Sequence, residues 1–209
     1  MGCRNKPKPN TEPKCKKCNK PISSAEIEYC YDCSMKKFHY VRGYSVWLYD
    51  AVMKRSIIDF KYKGRKEYTG YYVGEMIRHL GYEIREICPD VIIPIPVHPS
   101  RKRQRGYNQA ELLACELGRR MHLLTRTDIL VRVVKTRPQK ELNNVERMKN
   151  LERAFCVRQT EEDYSKFHRV LLIDDIYTTG STIEACAKAL KRAGMGNVYF
   201  ITLCIGQGF

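Results

Sequence analysis

The sequence predicts an α/β fold, a largely parallel sheet flanked by helices, with a small cysteine-rich metal module in front of it. Three observations carry this. After Lys37, stretches with apolar residues at helical spacing alternate with short β-branched runs. One fully apolar run, VLLI at 170–173, leads straight into two aspartates and a loop of Thr, Ser and Gly. Four cysteines, Cys15, Cys18, Cys30 and Cys33, stand in two C-x2-C pairs. The texture changes near residue 40, which divides the chain into a leader and zinc-binding module over 1–40 and one main domain over 41–209. A chain of 209 residues suffices for one such domain and an appendage, not for two equal domains.

Residues 1–14 are polar with three prolines and read as a loose leader. Helices are expected over 50–60 and 66–80, the second ending at Gly81 as its C-cap. Val91 to Val97, VIIPIPV, suits a buried strand; Asn108 to Met121 has the periodicity of an amphipathic helix, and Ile129 to Val134 reads as a strand. Asn143 to Arg153 is charged and helical in pattern, with a short strand at Phe155 to Val157. Val170 to Ile173 is the central strand, Ser181 to Ala193 a helix ended by Gly194, and Val198 to Ile205 the last strand. Of the remaining cysteines, scattered at Cys3, Cys88, Cys115, Cys156, Cys186 and Cys204, most are expected to be small buried apolar residues.

In an open α/β sheet, ligands sit beyond the carboxyl ends of the strands, and Asp174 to Thr182 lies at such an end. Gly180 lets the backbone approach a ligand, and Thr178, Thr179, Ser181 and Thr182 supply hydroxyls beside the amides of the following helix, a cradle for a phosphate dianion. Capping alone accounts for the glycine and one hydroxyl, but not for paired carboxylates. Asp174 and Asp175 would repel the phosphate, so they are assigned to ribose hydroxyls or to a hard cation such as Mg²⁺. A ribose with a 5′-phosphate, as in phosphoribosyl pyrophosphate, meets every group.

The segment VLLIDDIYTTGST at 170–182 resembles the signature of type I phosphoribosyltransferases. More narrowly, PIPVHPSRKRQRGYNQAELLA at 94–114, RPQKELNNVERMKNLERAF at 137–155 and the cysteine pairs together resemble the competence protein ComF family. The resemblance implies a type I phosphoribosyltransferase-like sheet with an N-terminal zinc module. It implies that Asp174 and Asp175 hold the ribose hydroxyls directly or through Mg²⁺, that Thr178 to Thr182 wrap the 5′-phosphate, and that Pro94 to His98 lie near the pyrophosphate. It also implies a role in natural transformation and DNA uptake. In such enzymes C1 of the ribose gains oxocarbenium character as pyrophosphate leaves, so catalysis is positioning and charge neutralisation.

The two C-x2-C pairs, separated by eleven residues, suit a closed tetrahedral four-cysteine site for a structural Zn²⁺; a redox role would leave the second pair without a purpose. With 38 Lys and Arg against 23 Asp and Glu, the net charge of +15 favours polyanionic partners. Arg101, Lys102, Arg103 and Arg105 form one basic run; Lys61, Lys63, Arg65 and Lys66, interleaved with Tyr62 and followed by Tyr68, form another. Both fit a single-stranded DNA groove, a solvated charged face, or, for Arg105 above all, a clamp on pyrophosphate. His98 lies near the presumed pocket and is given no catalytic role.

No apolar stretch is long enough to span a bilayer and no secretory signal is evident, so a cytoplasmic location is expected. Three functions stay open: phosphoribosyl transfer to a nitrogen acceptor, in nucleotide or amine metabolism without nucleic acid; binding of phosphoribosyl pyrophosphate within DNA uptake, with single-stranded DNA and competence-machinery proteins as partners; and regulation through the zinc module.

Overall fold

The computed structural model describes residues 6–133 and 154–206. The helix expected at Asn143 to Arg153 therefore lies outside the described residues, as does Cys3. Four strands form the main sheet: β1 (Tyr40–Leu48), β2 (Val91–Pro94), β5 (Arg169–Tyr177) and β6 (Asn197–Ile205). They run parallel in the order β1-β6-β5-β2. β3 (Leu130–Arg132) and β4 (Phe155–Val157) pair antiparallel as a separate ribbon. The helices are α1 (Tyr31–Met35), α2 (Ala51–Tyr62), α3 (Tyr68–Ile87), α4 (Pro99–Arg105), α5 (Gln109–Met121) and α6 (Ser181–Arg192).

The sheet is covered on both faces, as a parallel sheet must be. On one face Val170 and Leu172 of β5 join Val198, Phe200 and the inner side of α6, Ile183, Cys186 and Leu190. On the other, Leu171 and Ile173 join Met53, Ile57 and Phe60 of α2, Met76 and Leu80 of α3, and Leu113 and Leu117 of α5. Alternate residues of one strand thus feed two cores, which explains why the run reads as continuously apolar. Among the described residues, no helix is long and apolar enough to cross a membrane.

Several expectations are corrected. α3 runs through Gly81, which is buried in the helix, and ends at Cys88 in the left-handed region (φ 46°). A Cβ at Gly81 would meet Arg85 and Ile77 of the same helix at an ordinary 3.6 Å, so nothing at this position stops the helix. β2 spans four residues because Ile95 to His98 leave the strand as a loop. β5 does not end at Ile173 but carries both aspartates within the strand. β1 is not foreseen by the sequence pattern, since YVRGYSVWL has no simple alternation; its inward positions include Gly43, over which the Phe200 ring lies so closely that a Cβ would fall 1.9 Å from it. The leader is tied down from Lys8 onward: the Asn10 amide donates to the Val46 carbonyl at 2.9 Å and that of Leu48 to the Lys8 carbonyl at 2.9 Å, extending the sheet beyond β1. Among the scattered cysteines, Cys186 and Cys204 are buried, whereas Cys88 and Cys115 are exposed and Cys156 is intermediate.

Candidate functional site

Two parts of the site are prepared by local sequence. The first is the turn from β5 into α6. Gly180 is its N-cap, at φ 77°, and a Cβ there would also meet the Tyr177 hydroxyl at 2.4 Å, so both backbone and space call for glycine. Thr179 and Ser181 hydroxyls sit 2.9 Å apart across the turn. The first-turn amides of α6 have no acceptor within an α-helix and carry the positive end of its dipole. Thr178 and Thr179 are exposed, and Ser181 and Thr182 half-buried. The five residues 178–182 therefore gather as a donor-rich turn suited to a phosphate group.

Beneath the turn, Tyr177 stacks on Phe200 with ring centroids 5.0 Å apart, and its hydroxyl meets that of Tyr40 at 2.9 Å. Lys20 lies over the Tyr177 ring at 5.9 Å. The floor of the turn is thus shared with the cysteine module.

The second part is the acidic strand end. Consecutive strand residues face opposite sides of a sheet, and the two carboxylates divide accordingly. Asp175 is buried and turns toward α2, where Lys61 Nζ holds its Oδ2 at 2.7 Å; Cys204 of β6 lies within the same electrostatic neighbourhood. Asp174 is half-buried, accepts the Asp175 amide on its own Oδ1 at 2.9 Å, and feels Arg132 of β3. Burial, with Asp175 beside it, pushes the Asp174 carboxyl up to about 7, against the opposing pull of Lys61. Burial and the like charge of Arg101 lower the Arg132 guanidinium, with Asp174 acting the other way.

Lys61 and Arg132 are the functional candidates that sequence reasoning missed in these roles. For Lys61 a signal existed: Met53, Ile57 and Phe60 fill the buried stripe of α2, and Lys61, four residues after Ile57, continues it. For Arg132 no comparable signal exists, because its position depends on how a three-residue strand docks.

The loop 94–98 leaves β2 beside this strand end: Pro94 pairs with Ile173, and the Ile95 amide donates to the Ile173 carbonyl at 2.9 Å. Asn108 Nδ2, at the start of α5, holds the Ile95 carbonyl at 3.0 Å. His98 caps α4, its Nδ1 accepting the Ser100 amide at 3.1 Å.

The basic run 101–105 forms α4. Arg101, Lys102 and Arg103 are exposed; Lys102 pairs with Glu111 at 2.9 Å. Arg105 is drawn aside, stacked on Tyr62 at 4.7 Å and donating to the Tyr62 hydroxyl at 2.8 Å and to Gln109 Oε1 at 3.1 Å. The other basic run is dispersed by folding. Lys61 turns inward to Asp175, Lys63 pairs with Asp59 at 2.8 Å, Arg65 with Glu67 at 3.2 Å, and Lys66 lies over Tyr107 at 5.0 Å.

In the N-terminal module the sulfur atoms of Cys15, Cys18, Cys30 and Cys33 all lie within 4.8 Å of one another. Four thiolates around a tetrahedral Zn²⁺ would sit about 3.8 Å apart, given a Zn–S bond near 2.3 Å. The cluster could hold such an ion. Asn19 takes the left-handed turn after Cys18 (φ 69°), and the Cys15 amide donates to the Lys20 carbonyl at 2.8 Å, shaping the first knuckle. Cys15, Cys18 and Cys30 belong to the same buried cluster as Tyr40, Tyr177 and Phe200.

Comparison with known proteins bears on these features. The phosphoribosyl transferase domain model matches residues 104–207, the stretch that includes β5, the turn and α6. Competence protein F of Haemophilus influenzae is 36% identical over 110 residues, 53% of this chain and 48% of its own; this chain thus spans about half the length of that relative. Competence protein ComFC of Bacillus subtilis is 29% identical across 92% of this chain and 77% of its own length. Over most of its length the chain thus resembles proteins of the ComF family. DNA utilization protein YhgH of Escherichia coli O157:H7 is 27% identical over 91% of this chain and 83% of its own. A purine phosphoribosyltransferase from Pyrococcus horikoshii is 20% identical and covers 65% of this chain and 74% of its own at a TM-score of 0.40.

Proposed function

We propose that this ComF-like chain binds phosphoribosyl pyrophosphate at the end of β5 and acts in the cytoplasm in DNA uptake during natural transformation. The observation that carries the reading is the turn after β5. There a left-handed glycine, a cluster of hydroxyls and a helix N-terminus follow directly on two acidic strand residues. The competence and DNA-utilization names of its relatives support the cellular setting.

In this reading the 5′-phosphate takes hydrogen bonds from the first-turn amides of α6 and the hydroxyls of Thr178, Thr179, Ser181 and Thr182. Asp174 accepts from the ribose hydroxyls. The pyrophosphate then lies toward the 94–98 loop, with Arg101 and Arg132 as cations on that side. Asp175, committed to Lys61, orients the strand end rather than competing for the same hydroxyls. When bound with the donor, Mg²⁺ supplies charge neutralisation at the pyrophosphate oxygens, and Asp174 is the carboxylate placed to meet it. As the bond from C1 to pyrophosphate breaks, the protein's work is to hold the two anionic ends apart and shield the growing positive charge at C1. The four-cysteine cluster holds a structural Zn²⁺, which would supply folding free energy to a segment with few apolar side chains.

The exposed cations of α4, Arg101, Lys102 and Arg103, provide the surface for single-stranded DNA. Tyr62 is occupied by Arg105 and Tyr68 is packed against the core, so neither offers a free stacking platform.

Calorimetry with phosphoribosyl pyrophosphate and Mg²⁺ tests the pocket: the wild type gives heat and Asp174→Asn weakens binding by at least about tenfold, the scale of one charged hydrogen-bond partner. No heat at millimolar donor refutes it. Pyrophosphate release assayed without an acceptor, then with bases or amines, separates a transferase from a donor sensor. Binding of single-stranded DNA should fall steeply with salt, and charge reversal at Arg101 and Arg103 should flatten the slope; an interaction indifferent to salt removes the DNA role.

A further inference from the structure

Lys61 and Asp175 form an ion pair withdrawn from solvent, with side-chain exposures of 18% and 11% and an Nζ–Oδ2 distance of 2.7 Å. A lysine is drawn into such a position only with a partner, because desolvating an ammonium is costly. The partner here is one of the two carboxylates that would otherwise be offered to a divalent ion. At the strand end, two carboxylates, Asp174 and Asp175, already stand against two cations, Lys61 from α2 and Arg132 from β3. Asp50, the N-cap of α2, is the further acidic group in the neighbourhood of Cys204, and its Oδ1 is engaged by the Met53 amide at 2.8 Å.

The charge is thus balanced from within. A metal ion arriving at Asp175 would meet an ammonium in its place, and the electrostatic repulsion between them at such a distance is large even with strong screening.

We propose that Lys61 is the resident counter-cation of the acidic strand end, and that a divalent ion gains Asp175 only by displacing it. Asp174 alone is then the open carboxylate, and Lys61 sets how strongly the site depends on metal. The inference rests on reading this strand end as the place where a metal-bearing phosphoribosyl donor binds, but it concerns the cation and can be measured without the donor.

Mn²⁺ binding followed by electron paramagnetic resonance on the full-length, zinc-loaded protein provides the test. Lys61→Met, which removes the competing charge while keeping an aliphatic stem, should tighten Mn²⁺ binding by at least about tenfold. Lys61→Arg, still cationic, should stay within about threefold of wild type. Adding Asp175→Asn to Lys61→Met should abolish the gain. Unchanged or weaker Mn²⁺ binding in Lys61→Met overturns the proposal, and so does a gain that survives Asp175→Asn.

Because Lys61→Met leaves Asp175 unpaired, its folding is checked by circular dichroism, and a second measurement uses the wild type itself. The Lys61 side-chain Nζ resonance, assigned by its loss in Lys61→Arg, should shift on Mg²⁺ addition. A resonance that stays put while Mg²⁺ saturates the protein overturns the proposal. Tightened Mn²⁺ binding in Lys61→Met without donor binding in any variant would uphold the role of Lys61 and refute the donor pocket; donor binding that never varies with Lys61 or Mg²⁺ would do the reverse.

Discussion

The cysteine knuckles and the turn after β5 lie on the two sides of the Tyr40–Tyr177 contact, yet they keep their shape by opposite means. In the knuckles the interior is four sulfur atoms within 4.8 Å, flanked by short turns and a five-residue helix with no buried side chain of its own. In the turn, each constraint comes from a well-filled core: Tyr177 is packed against Phe200, Gly180 fits over Tyr177, and α6 is anchored by Ile183, Cys186 and Leu190. The first region is gathered around a cluster that could hold an ion, and the second is set in advance by packing. A binding site of the second kind loses little entropy on receiving a ligand, whereas one of the first kind has no geometry to lose until its ion arrives.

The largest effect that could break this contrast is loss of the metal ligands. Cys18→Ser, or a strong chelator, should remove about one ion per chain and unfold the knuckles, at a cost of several kcal/mol. Metal analysis with amide hydrogen exchange over residues 8–38 measures it, and retained protection there would end the idea of an ion-dependent region. Next comes the turn itself. Gly180→Val combines a β-branched residue at φ 77° with contact against Tyr177, and should cost about 3 kcal/mol, lowering the melting temperature by roughly 6–12 °C. A variant that melts with wild type would show the turn to be less fixed than its packing implies.

A smaller effect concerns pH. The Asp174 carboxyl, raised from 3.8 to about 7, binds its proton more tightly when folded than when unfolded. Its contribution is therefore fully present below about pH 4, is lost progressively as pH rises toward 7, and is gone above that. Thermal melts from pH 4 to 8 should show this decline, and Asp174→Asn should flatten it; equal slopes in both proteins would contradict the assigned burial. The smallest effect sharpens the contact between the regions. Tyr40→Phe removes one hydroxyl of the buried pair and should cost about 1–2 kcal/mol while leaving metal content intact. Coupled loss of zinc in that variant would mean the regions are less distinct than described.

How far the sequence revealed all this depends on the kind of signal each part carries. β5 and β6 are legible because both faces of each are buried, giving apolar runs at 170–173 and, interrupted by Thr202, at 198–205, and α5 and α6 because their apolar stripes are regular. The turn is legible because Gly180, its hydroxyls and the acidic pair are contiguous. β1 escapes because its place is decided by partners distant in sequence: Gly43 lies under Phe200, and the Ser45 hydroxyl meets that of Thr202 at 2.6 Å. The dispersal of the 61–66 cations escapes for the same reason, since Asp175, Tyr107 and Arg105 are brought to this segment by folding. The paired aspartates read as one unit in the sequence, whereas in the strand Asp175 forms the ion pair with Lys61 and Asp174 feels both Lys61 and Arg132.

The buried Glu184 offers a last consequence. From the first turn of α6 it accepts the His39 amide at 2.8 Å and meets the His39 ring at 2.6 Å, just before β1 begins. One carboxylate therefore rivets the hinge leaving the knuckles to the first turn of the helix that follows the hydroxyl-rich loop. Trimming the chain at residue 40 would strip that rivet and leave the Tyr40 phenol at a raw end, so a shortened version made for crystallisation should begin upstream of the first knuckle.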